Sequence, residues 1–275
     1  MFNTLNMAPK EKFDSIGKCI YCHSASDALS EEHIIPYGLN GNFVLSEASC
    51  KVCAAITSKF EEKVLKGFME KGRQALGLKT RRRSKRKPTP NKLKFKLPDG
   101  VWSEEIEFDE NITFMHLPCF VTPIGLGGKS NNDNPASIDI FAVDTMHLGG
   151  MVGVLEQKNI PAVQQIEKLD IWSFVRMLAK IGHSYHVAMR GEFPLSESPV
   201  VNIALGKSDH AKHWIGCLEE HPLTKVGSKA LHLMDITDLQ GANGSIATVV
   251  RIKFFDPVKG PTYAVVTRVI LGNKK

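Results

Sequence analysis

The sequence predicts an α+β chain in two parts, a small cysteine-bearing module followed by a larger α+β domain. Three observations predict it. Two CxxC pairs, Cys19/Cys22 and Cys50/Cys53, bracket a stretch dense in turn formers. Two later segments place apolar residues at three- and four-residue spacings, the stripe of an amphipathic helix. Runs that alternate apolar with polar residues and end in turn signals recur through the rest of the chain.

Taken in order, residues 1–17 form a polar leader without a strong period. Residues 19–53 read as knuckles and short strands. The segment after Cys53, AAITSKFEEKVLKGFMEKGRQALGL, aligns Ile56, Phe60, Val64, Leu65, Phe68 and Met69 on one helical face, and Gly72 or Gly77 ends the helix. KLKFKL, PDG and VWSEEIEF form a hairpin, because Asp-Gly supplies the turn and both arms alternate. Strands are expected near Thr113–Val121, Ser137–Val143, Val200–Leu205, Leu231–Thr237, Ala247–Phe255 and Tyr263–Leu271, the last two joined by DPVKGP as a second hairpin. The strongest helix of this half is expected from Pro161 to Arg190, with Ile166, Leu169, Trp172, Val175, Met177, Leu178 and Ile181 as its apolar face. The expected organisation is thus a leader (1–17), a cysteine module (18–78), a basic linker (79–96) and an α+β domain (97–275).

With 43% hydrophobic and 23% charged residues the chain can build a core. No segment has the roughly 18 to 20 uninterrupted apolar residues of a membrane helix; Asp144 and His147 break the longest candidate. No apolar run follows a basic start at the N-terminus, so no secretory signal is expected, and the chain reads as soluble and cytoplasmic. The net charge of +6 is uneven. Between Lys63 and Lys96 fourteen lysines and arginines face one acid, Glu70, a local charge of +13 that leaves −7 for the remainder. Such polarity points to a polyanion met at one place.

The cysteine spacing carries chemistry. Cys19-x2-Cys22 and Cys50-x2-Cys53 supply four thiolates in two turns, the closed tetrahedral shell that structural Zn2+ prefers. Cys119 and Cys217 stand apart from this pattern and read as buried free thiols. His183/His186 and His210/His213, spaced i, i+3 without a carboxylate pattern, read as ordinary core or surface histidines.

Between the pairs lie Glu31-Glu32-His33-Ile34-Ile35-Pro36 and then Gly38, Gly41 and Asn42. The order of knuckle, acid-His-Ile-x-Pro step, Gly/Asn turn, second knuckle and helix resembles the HNH endonuclease family over about residues 18–66. The resemblance implies a treble-clef-like ββα-metal nuclease module, with His33 as the general base that activates water and Glu32 as a ligand of a catalytic Mg2+ or Mn2+. It also implies that Asn42 orients the loop and the base. Adjacent strand residues point to opposite faces, so the chain must twist or bulge at Glu32-His33 if both are to serve one phosphate. One position departs from the family, which often has Asn or His directly after the last cysteine, where this chain has Ala54. Thr57, Ser58 and Glu61 lie on the same helical face, and Glu61 is the preferred substitute because a carboxylate binds a hard cation better than a hydroxyl.

The run Arg81, Arg82, Arg83, Lys85, Arg86 and Lys87 suits phosphate neutralisation, and with Phe95 the one aromatic residue near it, duplex clamping is favoured over single-strand stacking. The expectation is a metal-dependent HNH endonuclease cutting DNA with weak sequence specificity, nucleoid-associated when bound, in an antiviral-defence or mobile-element setting. The alternative is a zinc-dependent DNA-binding or adaptor protein whose metal site has decayed at Ala54, with RNA as a further candidate partner. Residues 97–275 carry no phosphate loop, dinucleotide fingerprint or nucleophile elbow, which leaves them recognition, self-association or the docking of a regulatory protein.

Overall fold

The computed structural model describes residues 10–25, 28–78, 91–97, 99–103, 106–108, 113–148, 162–165, 167–218, 231–241, 243–256 and 260–272. Within them the chain is α+β, as its sequence predicts. Strands β1 (Glu11–Phe13), β2 (Ser30–His33) and β3 (Phe43–Ser49) form a sheet in the order β1-β3-β2, with β1 parallel and β2 antiparallel to β3. Helix α1 (Lys51–Lys66) leaves β3 through Cys50, and a second short helix, α2 (Glu70–Ala75), follows. The single helix expected here therefore breaks at Gly67, ahead of the two glycines anticipated.

Strands β4 (Asn91–Lys96) and β5 (Ile106–Phe108) make the first expected hairpin, with Leu93 opposite Ile106. Its turn is closed by the Val101 N–H, which donates to Asp99 Oδ1 at 2.9 Å. Strand β6 (Thr113–Phe120) pairs with β7 (Ile140–Leu148), and β8 (Ala162–Gln164) pairs with the other edge of β4. The 20-residue helix α3 (Ile171–Arg190) begins ten residues later than its apolar pattern suggested, because residues 162–164 are recruited to that strand. Asp170 fixes the start: its carboxylate accepts from the Ser173 backbone N–H at 3.1 Å.

Residues Val200–Leu205, expected as a strand, instead form the short helix α4 (Val201–Ala204). Val200, Val201, Ile203 and Ala204 are buried while Asn202 is exposed, a helical spacing that the β-branched composition disguises. Strands β9 (Ile215–Leu218), β10 (Leu233–Gln240), β11 (Ile246–Lys253) and β12 (Thr262–Ile270) form an antiparallel sheet in the order β10-β11-β12-β9, which includes the second expected hairpin.

Helix α3 is the centre of the molecule. It packs on α1 on one side and on β11 and β12 on the other, and most of its side chains are buried. Contact with the sheet is so close at Gly182 that a Cβ there would lie 2.6 Å from Val265 Cγ1. One hydrophobic cluster joins Ile34, Ile35, Leu39, Phe60 and Val64 of the cysteine module to Phe174, Met177, Leu178 and Ile181 of α3 and to Val250, Ile252 and Val265 of the sheet. The core thus runs across the boundary expected between the cysteine module and the second domain. Each large apolar side chain buried there contributes about 1.5–3 kcal/mol, so the two parts stabilise one another. No helix among the described residues is long and apolar enough to cross a membrane.

Candidate metal centre and carboxylate site

The four predicted cysteines meet. Cys19 and Cys22 lie on a turn in which the His23 N–H donates to Cys19 O at 2.8 Å and the Cys19 N–H donates to Ser24 O at 3.0 Å. His23, with φ of 56°, closes this knuckle. Cys50 caps α1 and Cys53 sits in its first turn. The ligand atoms of all four lie within 4.8 Å of one another, and Cys22 Sγ and Cys50 Sγ are 3.8 Å apart. A tetrahedron with Zn–S bonds of about 2.3 Å has edges of about 3.8 Å, so the cluster fits a metal ion such as Zn2+. The electrostatics agree. Burial raises the Cys50 thiol pKa, but the Cys53 backbone N–H and the neighbouring thiols outweigh it and bring the value to about 6. Burial pushes Cys19 and Cys53 the other way. Four such thiols ionise together only around a cation.

Beyond the knuckle, β2 carries Glu31, Glu32 and His33. Glu31 is exposed and paired with Lys12 at 2.6 Å and Lys10 at 3.4 Å. Glu32 is turned inward, 7% exposed, and His33 is half-buried with its ring edge-on to Tyr37 at 5.5 Å between centroids. The Glu32-His33 step itself is regular, with Glu32 opposite Leu45 and His33 opposite Val44, and the irregularity falls one step earlier, between Ser30 and Glu32. Ser30 pairs with Ser49 but Glu32 with Leu45, and the extra length on β3 is taken up where Glu47 adopts φ of 42°. The turn into β3 is equally constrained: a Cβ on Gly41 would fall 2.0 Å from Ile35 O. Asn42 ends this turn, and its backbone carbonyl accepts from the Glu11 N–H at 2.9 Å.

Glu61 of α1 and Glu32 share one partner, whereas the other two candidates turn back on their own helix. The Thr57 hydroxyl donates to Ala54 O at 3.2 Å and the Ser58 hydroxyl to Ala55 O at 3.2 Å. What joins the two carboxylates is a residue the sequence reading passed over. Lys180 Nζ, fully buried, lies 2.6 Å from Glu32 Oε1 and 2.9 Å from Glu61 Oε1. It also donates to Ile34 O at 3.2 Å and to His33 O. Four oxygens thus surround one ammonium. Burial alone would lower the Lys180 pKa, but Glu32 and Glu61 outweigh it and raise the value, so the cation persists at every ordinary pH. Tyr21 closes the inner wall; burial first, and the two carboxylates next, push its hydroxyl pKa far above the usual value.

No family model, curated protein or solved structure matches this chain. A divalent Mg2+ or Mn2+ does not fit the carboxylate pair as it stands. The space between the two carboxylates is filled by Nζ, which contacts both, so an octahedral ion that keeps several waters has no place there while the lysine stays. The signal for Lys180 was available: it stands next to Ile181 on the apolar face of α3, where a lysine needs buried carboxylates to meet it.

The basic region divides in two. Arg81, Arg82, Arg83, Lys85, Arg86 and Lys87 lie outside the described residues. Arg73, counted with them by charge, is buried and structural: its Nε–H donates to Gly38 O and an Nη1–H to Leu65 O, both at 2.6 Å. Lys66 pairs with Glu62, and Lys71 lies 3.5 Å from Glu167.

Among the described residues, the two histidine pairs and the other two cysteines form no second cluster of metal ligands. His183 Nε2–H donates to Ile20 O at 2.7 Å, and His186 Nδ1 bonds Thr267 Oγ1 at 2.7 Å, so the pair shares no ligand. His210 is exposed and His213 half-buried. Cys119 and Cys217 are buried free thiols, and Cys217 Sγ accepts from the Phe120 N–H at 3.3 Å.

Proposed function

We propose that this chain is a DNA-binding protein built on an HNH-like, metal-stabilised ββα frame, in which Lys180 stands where a catalytic divalent ion would stand. One observation carries the reading: Glu32 and Glu61, the two residues offered as ligands of a catalytic ion, already converge on an internal ammonium in a four-oxygen cage. The polyanion is suggested by the run from Arg81 to Lys87, six cations among seven residues with no acid, which is its contact. Six neutralised phosphates imply affinity that falls about a thousandfold between 50 and 200 mM salt.

A second reading, hydrolysis, is favoured by one specific feature. His33 is half-buried rather than sealed, and its own carbonyl belongs to the cage. In that reading His33 takes the proton from the attacking water, and Lys180 positions it through the backbone.

Both readings face the same experiment. Supercoiled plasmid is incubated with the full chain and with His33→Ala, with and without Mg2+ or Mn2+, beside anisotropy of a labelled duplex at several salt concentrations. Salt-sensitive binding with intact plasmid is the expected result. Nicking by the wild type that His33→Ala abolishes would establish the second reading instead. Competition with structured RNA identifies the preferred polyanion.

A further inference from the structure

Lys180 comes from α3, yet its ammonium is held by oxygens contributed by β2, the residue after β2, and α1. Glu32 Oε1, Glu61 Oε1 and the carbonyl oxygens of His33 and Ile34 all point at one buried position. Carboxylate and carbonyl oxygens are the donor set of a hard cation, and here the cation is covalently tethered. We infer that the tethered ammonium and a free divalent ion are mutually exclusive occupants of this cage, so that Lys180 is what keeps Mg2+ and Mn2+ out of it. This deepens the reading of a filled hydrolytic site and rests on it.

The charge arithmetic is direct. With Lys180 in place, two carboxylates and one ammonium leave a single negative charge shared over the cage, and no vacant volume at its centre. Without the ammonium, two carboxylates flank a space bounded by two carbonyls, with Glu61, the more exposed of the pair, on the side of entry. That space attracts a divalent cation both by charge and by donor type. The tetrahedral cluster of soft sulfur ligands at Cys19, Cys22, Cys50 and Cys53 suits a different class of metal, so the two sites are separable by the ion offered.

The test uses the full, zinc-loaded chain and Mn2+ alone, read by electron paramagnetic resonance of free Mn2+. The wild type is expected to take up no Mn2+ that depends on Glu61. Lys180→Ala is expected to bind one Mn2+ per chain, at least about tenfold more tightly than the wild type, and to lose it when Glu61→Gln is added. Should Lys180→Ala fail to fold, Lys180→Gln retains the length of the side chain, and the readout becomes a rise in unfolding temperature with Mn2+ that the wild type does not show. Two results overturn the inference: Glu61-dependent Mn2+ uptake by the wild type, or a folded, zinc-loaded Lys180 variant without uptake. Neither result depends on plasmid cleavage, so failure here is distinct from failure of the DNA-binding reading.

Discussion

Replacing Lys180 with Met keeps most of the side-chain volume and removes only the charge and its hydrogen bonds, which makes the stability of the buried cage measurable. The ammonium lies 2.6 Å from one carboxylate oxygen and 2.9 Å from another. At an effective dielectric of about 20, each attraction is gross about 6 kcal/mol. Most of that offsets the desolvation of three charges, because Lys180 is fully buried and the Glu32 and Glu61 side chains are only 8% and 20% exposed. What Lys180→Met costs is chiefly the penalty for leaving two carboxylates near each other without a counter-charge, about 3–5 kcal/mol. With a urea slope of about 3 kcal/mol/M for a chain of this size, the midpoint should fall by about 1 M or more. Zinc is kept in excess and other divalent ions are left out, so that nothing replaces the ammonium. A companion variant with Lys180→Met, Glu32→Gln and Glu61→Gln should recover to within about 2 kcal/mol of the wild type, since a buried ionic cluster and its neutral replacement are close in stability. A midpoint unchanged by Lys180→Met would refute the buried ion cluster. A triple variant no better than the single one would refute the charge argument and leave only packing.

Three further outcomes follow from the packing. Cys19, Ile20 and Tyr21 of the knuckle share a cluster with Val187, Phe193, Val201 and Leu205; removing zinc, or Cys50→Ser, should therefore unfold α3 along with the module, seen as coincident loss of far-ultraviolet dichroism and a shift of Trp172 and Trp214 emission, and an unmoved emission would show the parts to be independent. Burial holds His183, His186 and His232 neutral, with pKa values lowered to about 4, 3 and 4. Their contribution is complete above the unfolded value near 6.5 and is lost as pH falls toward 4, at about 1.4 kcal/mol per pH unit for each fully titrating histidine; urea midpoints at pH 7.5 and 5.5 with zinc in excess check this, and equal midpoints would contradict it. Gly41→Ala should cost about 3 kcal/mol, because its Cβ would lie 2.0 Å from Ile35 O and backbone must move; thermal unfolding measures it, and a loss below 1 kcal/mol, an amount of the order of a surface change, would show that the turn can yield.

The parts legible in the sequence are those with short-range signatures. The four cysteines, the hairpin around Asp99-Gly100, the β11–β12 pair and the register of Glu61 on α1 all follow from spacing. The errors lie where long-range pairing overrode a local pattern. Residues 162–164 have a helical neighbourhood but fill the free edge of β4, and Val200–Leu205 has strand composition but a helical burial period. The unity of the core was hidden for a related reason: no local feature shows that Ile34 and Phe60 will pack in the same cluster as Phe174. The structural place of Asn42 was visible only in part, as a turn position, while Glu32 was expected to face a metal and instead faces a lysine nearly 150 residues away.

Charge counting along the chain also misplaced two cations, for one physical reason: a sum over a segment cannot distinguish a buried charge from a solvated one. Arg73 was counted toward a polyanion, yet it is spent on the carbonyls of Gly38 and Leu65. Lys180 was counted in the acidic remainder, yet it is the cation on which Glu32 and Glu61 converge. The cage also takes nothing from the side chain of Ala54. A divalent ion of the Mg2+ type needs about six ligands, so a position that loses a coordinating side chain leaves it short. An ammonium has three N–H groups, and four oxygens already surround this one without any help from residue 54. Alanine at position 54 is therefore compatible with a cage filled by a lysine.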